Sequence, residues 1–316
     1  MSAIDRRRVL SLSTLALSTG ASIGALASAL GACRSATAQA ATAVRRTGGR
    51  RKLKKALGIG MIGAGETLMD KFKLARDCGF AGIEMDGPSS HRHEDVLAAR
   101  DASGLAIPSV VDSVHWAHSL GDPDAAVRAQ GRAGLEGALR DAHAYGAKSV
   151  LLVPAVVDKN RPYDAAWTHS IAEIRATVPL ARELGVQIAV ENVWNNFVLS
   201  PMEANRYLDE IGSDWVGWHL DLGNLLIYGW PEQWTRILGA RVFQLHIKEF
   251  SRKKMDEEGR WDGFGVELGE GDNDWPAIMR ALDDIAYDGW AIAEVGGGDE
   301  ARLRDVSARM DRCFVG

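Results

Sequence analysis

Cysteine is scarce: the 316 residues hold three, at positions 33, 78 and 313. The first lies in an N-terminal leader-like segment, so the body can carry at most one disulfide, Cys78–Cys313. Long apolar runs are missing as well. The longest, Leu10 to Leu30, is broken by Ser, Thr and Gly and is too polar for a comfortable membrane span. An excess of basic charge is missing from the body. Of 37 Lys and Arg, eleven stand in residues 1–55 beside a single acid, Asp5. The remainder carries 26 basic and 41 acidic groups, a balance of −15, which excludes broad nucleic-acid binding. Apolar residues are in ordinary supply at 46%, so disorder is excluded for most of the chain. The length suits one large domain or two small ones.

The N-terminus reads as an address. Asp5-Arg6-Arg7-Arg8-Val9-Leu10 followed by a modest apolar stretch resembles a twin-arginine export signal. Leu30-Gly31-Ala32-Cys33 resembles a lipobox, while Ala38-Gln39-Ala40 and Ala41-Thr42-Ala43 offer ordinary cleavage sites, so lipidation at Cys33 and simple cleavage both stay open. The expected organisation is an export signal over 1–33, a basic flexible linker over 34–55 and a catalytic domain over 56–316. The expected location is periplasmic or membrane-anchored, with any membrane contact made through a lipid at Cys33.

From residue 56 onward, short Val/Ile/Leu-rich runs alternate with amphipathic stretches. The runs 56–63, 81–86, 107–115, 149–155, 187–194, 216–222, 242–249 and 290–295 predict strands covered on both faces. The intervening segments 66–79, 93–103, 123–146, 164–184, 201–211, 231–239, 274–286 and 299–313 predict helices, with stops at Gly79, Gly104, Gly146, Gly185 and Gly212. Ser200-Pro201 and Asp274-Trp275-Pro276 read as helix starts. Eight strand–helix units in this span predict an α/β fold of the (β/α)8 TIM-barrel type. A doubly wound sheet is the alternative. Gly58-Ile59-Gly60-Met61-Ile62-Gly63 fits a GxGxxG string, but its glycines fall within the expected first strand.

In such a barrel the chemistry sits at the carboxyl ends of strands. Four consecutive strands end in Glu191-Asn192, Asp221, His246 and Glu294, each embedded among apolar residues. One buried carboxylate is ordinarily held by hydrogen bonds. Four ionisable groups at matched positions point to a divalent cation, since unpaired buried charge is costly. Three carboxylates and one imidazole suit Mn²⁺, Mg²⁺, Co²⁺ or Zn²⁺, and the oxygen-rich set leans toward Mn²⁺.

The segments Val190-Glu191-Asn192-Val193-Trp194-Asn195, His219-Leu220-Asp221-Leu222-Gly223-Asn224, Leu245-His246-Ile247-Lys248-Glu249 and Gly269-Glu270-Gly271, with Gly289-Trp290, resemble the sugar phosphate isomerase/epimerase superfamily of xylose-isomerase-like barrels over residues 56–315. The resemblance implies a metal held by Glu191, Asp221, His246 and Glu294. It also implies that the two glutamates act as bases, one lifting the proton beside a carbonyl and the other returning it on the opposite face of an enediolate. Arg252, six residues after the histidine, falls where the epimerases place an arginine for a substrate hydroxyl. Two departures count against ketose epimerisation: Asn224 stands where a histidine is common, and Phe197 where a second glutamate is. The nuclease relatives need further histidines, and His246 is the last in this chain.

Lys248 shares the inward face with His246 and could neutralise a developing enolate, or sit solvated at the rim. His219 is read as a supporting or core group, and His115 and Glu84 as substrate contacts. Asn224, Arg252 and Trp194 complete the substrate set. Trp116, Trp194, Trp230 and Trp261 follow strand ends, where aromatic faces suit sugars, although loop packing explains each singly. The leading expectation is an exported, metal-dependent isomerase or epimerase of an unphosphorylated sugar, in part because no phosphate cradle is visible. A lyase or hydrolase of keto-sugars or keto-glycosides is the runner-up, and a non-enzymatic sugar-binding protein is the alternative of another class. A homo-oligomer stays open. Cys78 and Cys313 end helices that neighbour one another in a closed barrel. A bridge there would close a loop of over 200 residues and stabilise by roughly 5 kcal/mol before strain. Packed helix axes lie about 8–10 Å apart, beyond easy disulfide reach, so two buried thiols are the plainer expectation.

Overall fold

The structure, a computed structural model, describes residues 53–315. The expected export signal, the lipobox at Cys33 and the linker up to residue 52 lie outside the described residues. In chain order the elements are β1 (Lys54–Gly58), α1 (Leu68–Asp77), β2 (Gly82–Gly87), α2 (His93–Ser103), β3 (Ser109–Asp112), α3 (Ala125–Tyr145), β4 (Ser149–Leu152), α4 (Tyr163–Leu184), β5 (Gln187–Glu191), α5 (Pro201–Ile211), β6 (Val216–Asp221), α6 (Leu222–Leu225), α7 (Pro231–Leu238), β7 (Val242–Ile247), α8 (Arg252–Glu257), α9 (Trp275–Asp284), β8 (Trp290–Ala293) and α10 (Glu300–Cys313). Every strand pairs parallel with the next, and β8 pairs with β1, so the sheet closes into an eight-stranded barrel. This is the expected TIM barrel and excludes the doubly wound alternative.

Local chemistry sets the boundaries. Gly104, Gly146, Gly185 and Gly212 each end a helix with φ between 67° and 79°, a conformation that a residue with a Cβ adopts at a cost. Ser200 and Asp274 accept hydrogen bonds from Glu203 N and Ala277 N, capping α5 and α9 ahead of their early prolines. The strands are shorter than the apolar runs that announce them. The run 107–115 yields only Ser109–Asp112, because the chain then turns, with His115 N donating to Asp112 O.

Two expected boundaries change. Lys54 and Lys55, placed in the linker, belong to β1, and Lys55 Nζ donates to Ser307 O and Oγ and pairs with Asp311 at 2.7 Å. Of the GxGxxG glycines, only Gly58 lies in the strand. Ile59–Met61 form a single 3-10 turn, Gly63 N donates to Gly298 O, and Gly298 N donates to Met61 O. That segment is stitched to the loop after β8 and cradles no phosphate.

Cys78 and Cys313 are both free and buried, so the bridge is not made. Cys78 Sγ lies 3.7 Å from the carbonyl oxygen of Glu300, the first residue of α10, whereas Cys313 is the last residue of that helix. A 14-residue helix separates its ends by roughly 20 Å, far beyond disulfide reach. Among the described residues no helix is long and apolar enough to cross a membrane.

Candidate active site

The two-residue period of a strand places Gln244, His246 and Lys248 on one face of the β7 segment, and His219 and Asp221 on one face of β6. Register then aligns neighbours: Glu191 lies opposite His219, and Asp221 opposite His246. Glu294 follows the last residue of β8 and is tied to β7 by Glu294 N donating to Ile247 O. These alignments bring the four expected ligands together. Glu191, Asp221, His246 and Glu294 each offer a ligand atom within 4.8 Å of all the others.

His246 stands at the centre. Its Nδ1 lies 2.8 Å from Glu191 Oε1, 3.2 Å from Glu294 Oε2 and 3.9 Å from Asp221 Oδ2. Its Nε2 lies 3.0 Å from Glu84 Oε2. Lys248 Nζ reaches Glu294 Oε2 at 2.6 Å and Asp221 Oδ2 at 3.1 Å. Lys248 is therefore drawn into the carboxylate cluster and is no solvated rim lysine. Glu191, Asp221, Glu84 and His246 are buried, while the Glu294 side chain is nearly half exposed, with Oε2 in contact with His246 and Lys248.

The electrostatics follow from burial and crowding. Burial pushes the Glu191 carboxyl up to about 7 and the Asp221 carboxyl up to about 6, although His246 and Lys248 oppose those shifts. For Glu294 burial also raises, but His246 and Lys248 outweigh it and hold the group well below the usual carboxylate range. Burial works against a charged His246, yet Glu294, Glu84 and Glu191 together lift it well above its ordinary value. With all four carboxylates ionised, a positive His246 and Lys248 would still leave two negative charges in excess, which is the strain that the raised Glu191 and Asp221 carboxyls reflect. Glu84 Oε1 is buried without a hydrogen-bond partner, and Asp221 Oδ2 accepts no aligned bond despite the nearby ammonium. A divalent cation relieves this imbalance, and three hard carboxylate oxygens with one imidazole fit it.

The supporting residues are only partly those expected. Asn192 has no role in the sequence reading, yet its Oδ1 accepts from Trp218 Nε1 and Asp221 N, and its Nδ2 donates to Asp221 O. It fixes the ends of β5 and β6 relative to one another, and the only visible signal was its place directly after Glu191. Glu249 is the second missed residue. Its buried carboxylate accepts from Gly269 N, Asn273 N and Trp275 Nε1, organising the long β7–α9 loop. Glu84, expected to touch substrate, instead faces the far nitrogen of His246. His115 accepts from Val153 N through Nδ1, and burial lowers it to about 4, so it is a neutral packing histidine. His219 is fully buried, burial holding it well below its ordinary value, with its ring 4.1 Å from that of His246. Arg252 donates through Nε to Leu226 O and through Nη2 to Gly229 O and lies over the Trp230 ring, so its fork clamps the β6–α7 loop. Asn224 remains at the site, its Oδ1 3.4 Å from Lys248 Nζ, and its carbonyl accepts from Trp194 Nε1. Trp194 is wedged against Phe250, Trp261 and Phe264.

Comparison with known proteins matches this architecture to a class. Residues 72–313 match the family model described as the xylose isomerase-like TIM barrel, and the chain belongs to that family. Among curated proteins it is similar to L-ribulose-5-phosphate 3-epimerase of Salmonella paratyphi A, 25% identical over 267 residues, covering 78% of this chain and 91% of that one. Among solved structures it is similar to 3-keto-D-glucoside 4-epimerase from E. coli, with a TM-score of 0.71, 19% identity and coverage of 84% and 100%. An L-ribulose 3-epimerase structure matches with a TM-score of 0.69, 18% identity and coverage of 84% and 95%.

Proposed function

We propose that this protein is a metal-dependent isomerase or epimerase that moves a proton on the carbon beside the carbonyl of an unphosphorylated keto sugar. The observation that carries this reading is the pair of glutamates flanking one imidazole, with Glu191 2.8 Å and Glu294 3.2 Å from His246 Nδ1. A divalent ion held by Glu191, Asp221, His246 and Glu294, with Mn²⁺ favoured by the oxygen-rich set, would polarise the substrate carbonyl and acidify the adjacent C–H. Glu294, more open than Glu191, accepts that proton, and Glu191, the other carboxylate against His246 Nδ1, returns one on the opposite face. Lys248, 2.6 Å from Glu294, keeps that carboxylate oriented and adds positive charge where oxyanion character develops.

The cations nearest the cluster are already engaged, which supports an unphosphorylated substrate. Lys248 pairs with Asp221 and Glu294, Arg302 with Glu267 and Asp305, and Arg252 holds backbone carbonyls. Export to the periplasm, the proposed setting, agrees with such a substrate. Lys248 also favours a second reading. An ammonium beside the base could protonate a leaving group, so the same proton abstraction would end in β-elimination from a keto-glycoside.

The test is product analysis by NMR of a panel of keto sugars and keto-glycosides with stripped and metal-reloaded protein. Metal-dependent appearance of an epimer or positional isomer supports the first reading, and release of the aglycone supports the second. Saturable binding of sugars with no product under any metal would refute both and leave a binding protein.

A further inference from the structure

Two cavities lie near the mouth of the barrel. One, of about 580 Å³, is walled by Lys248, Glu294 and Phe264 together with the loop after β8, and so opens onto the Glu294 side of the site. The other, of about 530 Å³, is walled by Trp194, Tyr228, Met255 and Arg260 with apolar side chains around them. Phe264 of the first and Trp194 of the second are in ring contact at 4.8 Å, and Lys248 Nζ sits 5.4 Å from the Phe264 ring centre, so the cavities are neighbours across one aromatic wall. A free monosaccharide held at Glu191 and Glu294 has no use for the second.

Its lining has the chemistry of a sugar or aryl subsite. Trp194 forms one wall, and Trp261, 67% exposed and outside the lining itself, packs against it at 4.8 Å. The Tyr228 hydroxyl is buried with no hydrogen-bond partner, which is costly unless a ligand supplies one. Arg260 lies over the Trp194 ring and has no carboxylate partner among the described residues. Flat aromatic surface with a few unengaged donors suits a pyranose or phenyl ring, whose faces pack on tryptophan while its edge oxygens take hydrogen bonds. A phosphate would call for several converging N–H donors, and the mostly apolar wall provides one guanidinium.

Resting on the function proposed above, we infer that this second cavity binds the group glycosidically linked to the reacting ring, so the preferred substrate is a keto-glycoside and not a free keto sugar. The test compares kcat/KM, read as solvent-deuterium exchange, for 3-keto-glucose, its phenyl β-glycoside and its 6-phosphate. The expected result is a preference of roughly tenfold or more for the phenyl glycoside over the free sugar. In Arg260→Ala and Tyr228→Phe that preference should shrink by roughly three- to tenfold, through the KM of the glycoside, with melting temperatures within about 2 °C of wild type. Exchange with the free sugar as fast as with the glycoside, a preference that survives both substitutions, or a preference for the 6-phosphate would each overturn the subsite alone. Absence of exchange with all three compounds in metal-loaded protein would overturn the enolising reading and the subsite with it.

Discussion

His246 lies between carboxylates on both of its ring nitrogens, and a neutral imidazole can donate from only one. With a cation on the Nδ1 side, Nε2 carries the proton and donates to Glu84 at 3.0 Å, which fixes the ring's tautomer and orientation. Glu84→Ala should therefore weaken divalent-metal affinity by roughly 10- to 100-fold in calorimetric titration. Because the substitution also leaves the buried His246 Nε2 without its acceptor, the metal-free variant should melt somewhat lower than metal-free wild type. A large loss of stability with unchanged affinity would make Glu84 a packing residue. Asp112 carries a different prediction, one of pH. Burial holds its carboxyl up to about 7, while its Oδ1 accepts from Val114 N. The native state then binds a proton more readily than the unfolded chain, so this group's contribution to stability falls as pH rises between about 4 and 7. Asp112→Asn keeps the acceptor and removes the charge. Its melting temperature should match wild type near pH 4 and exceed it at pH 8, where the stability gain is on the order of 1–3 kcal/mol; equal curves at pH 8 would contradict this.

At the scale of elements, the turn that follows β6 explains why a glycine separates Leu222 from Asn224. Asp221 caps α6 by accepting from Asn224 N, and a Cβ at Gly223 would stand 2.8 Å from both Cβ and Cγ of Lys248. Gly223→Ala should displace the Lys248 stem and lower kcat by roughly tenfold or more, with the fold retained by circular dichroism; unaltered kcat would show that the lysine's position is not critical. This is a contact that spacing along one strand cannot reveal, because it joins the ends of β6 and β7. The same division runs through the rest of the reading. The order of strands and helices, the helix caps and the four cluster residues were legible, because two-residue alternation and capping chemistry are local, whereas most strand ends were set too late. The roles of Arg252, His115 and Glu84 were not, because each depends on what a neighbouring loop or strand presents: two carbonyls to Arg252, the Val153 N–H to His115, and His246 to Glu84. Glu249 escaped notice for a similar reason, since its three partners lie 20 to 26 residues further along the chain.

At the scale of the whole molecule, barrel closure gives the arrangement its precision. Pairing β8 with β1 and β7 fixes where Glu294 falls relative to Glu191, three strands away, and no single segment encodes that spacing. Closure also accounts for the thiols, since α10 runs from beside Cys78 at one end to Cys313 at the other. Removal of a proton by one glutamate and delivery of a solvent-derived proton by the other is the central claim, and deuterium incorporation from D2O beside the carbonyl of a turned-over keto sugar tests it most directly. Metal-loaded wild type should incorporate one deuterium per product molecule. Glu191→Gln and Glu294→Gln should each lower turnover at least about a thousandfold, since each removes both a base and a charged ligand. Product formed without deuterium exchange, or undiminished exchange in either glutamine variant, would contradict the account.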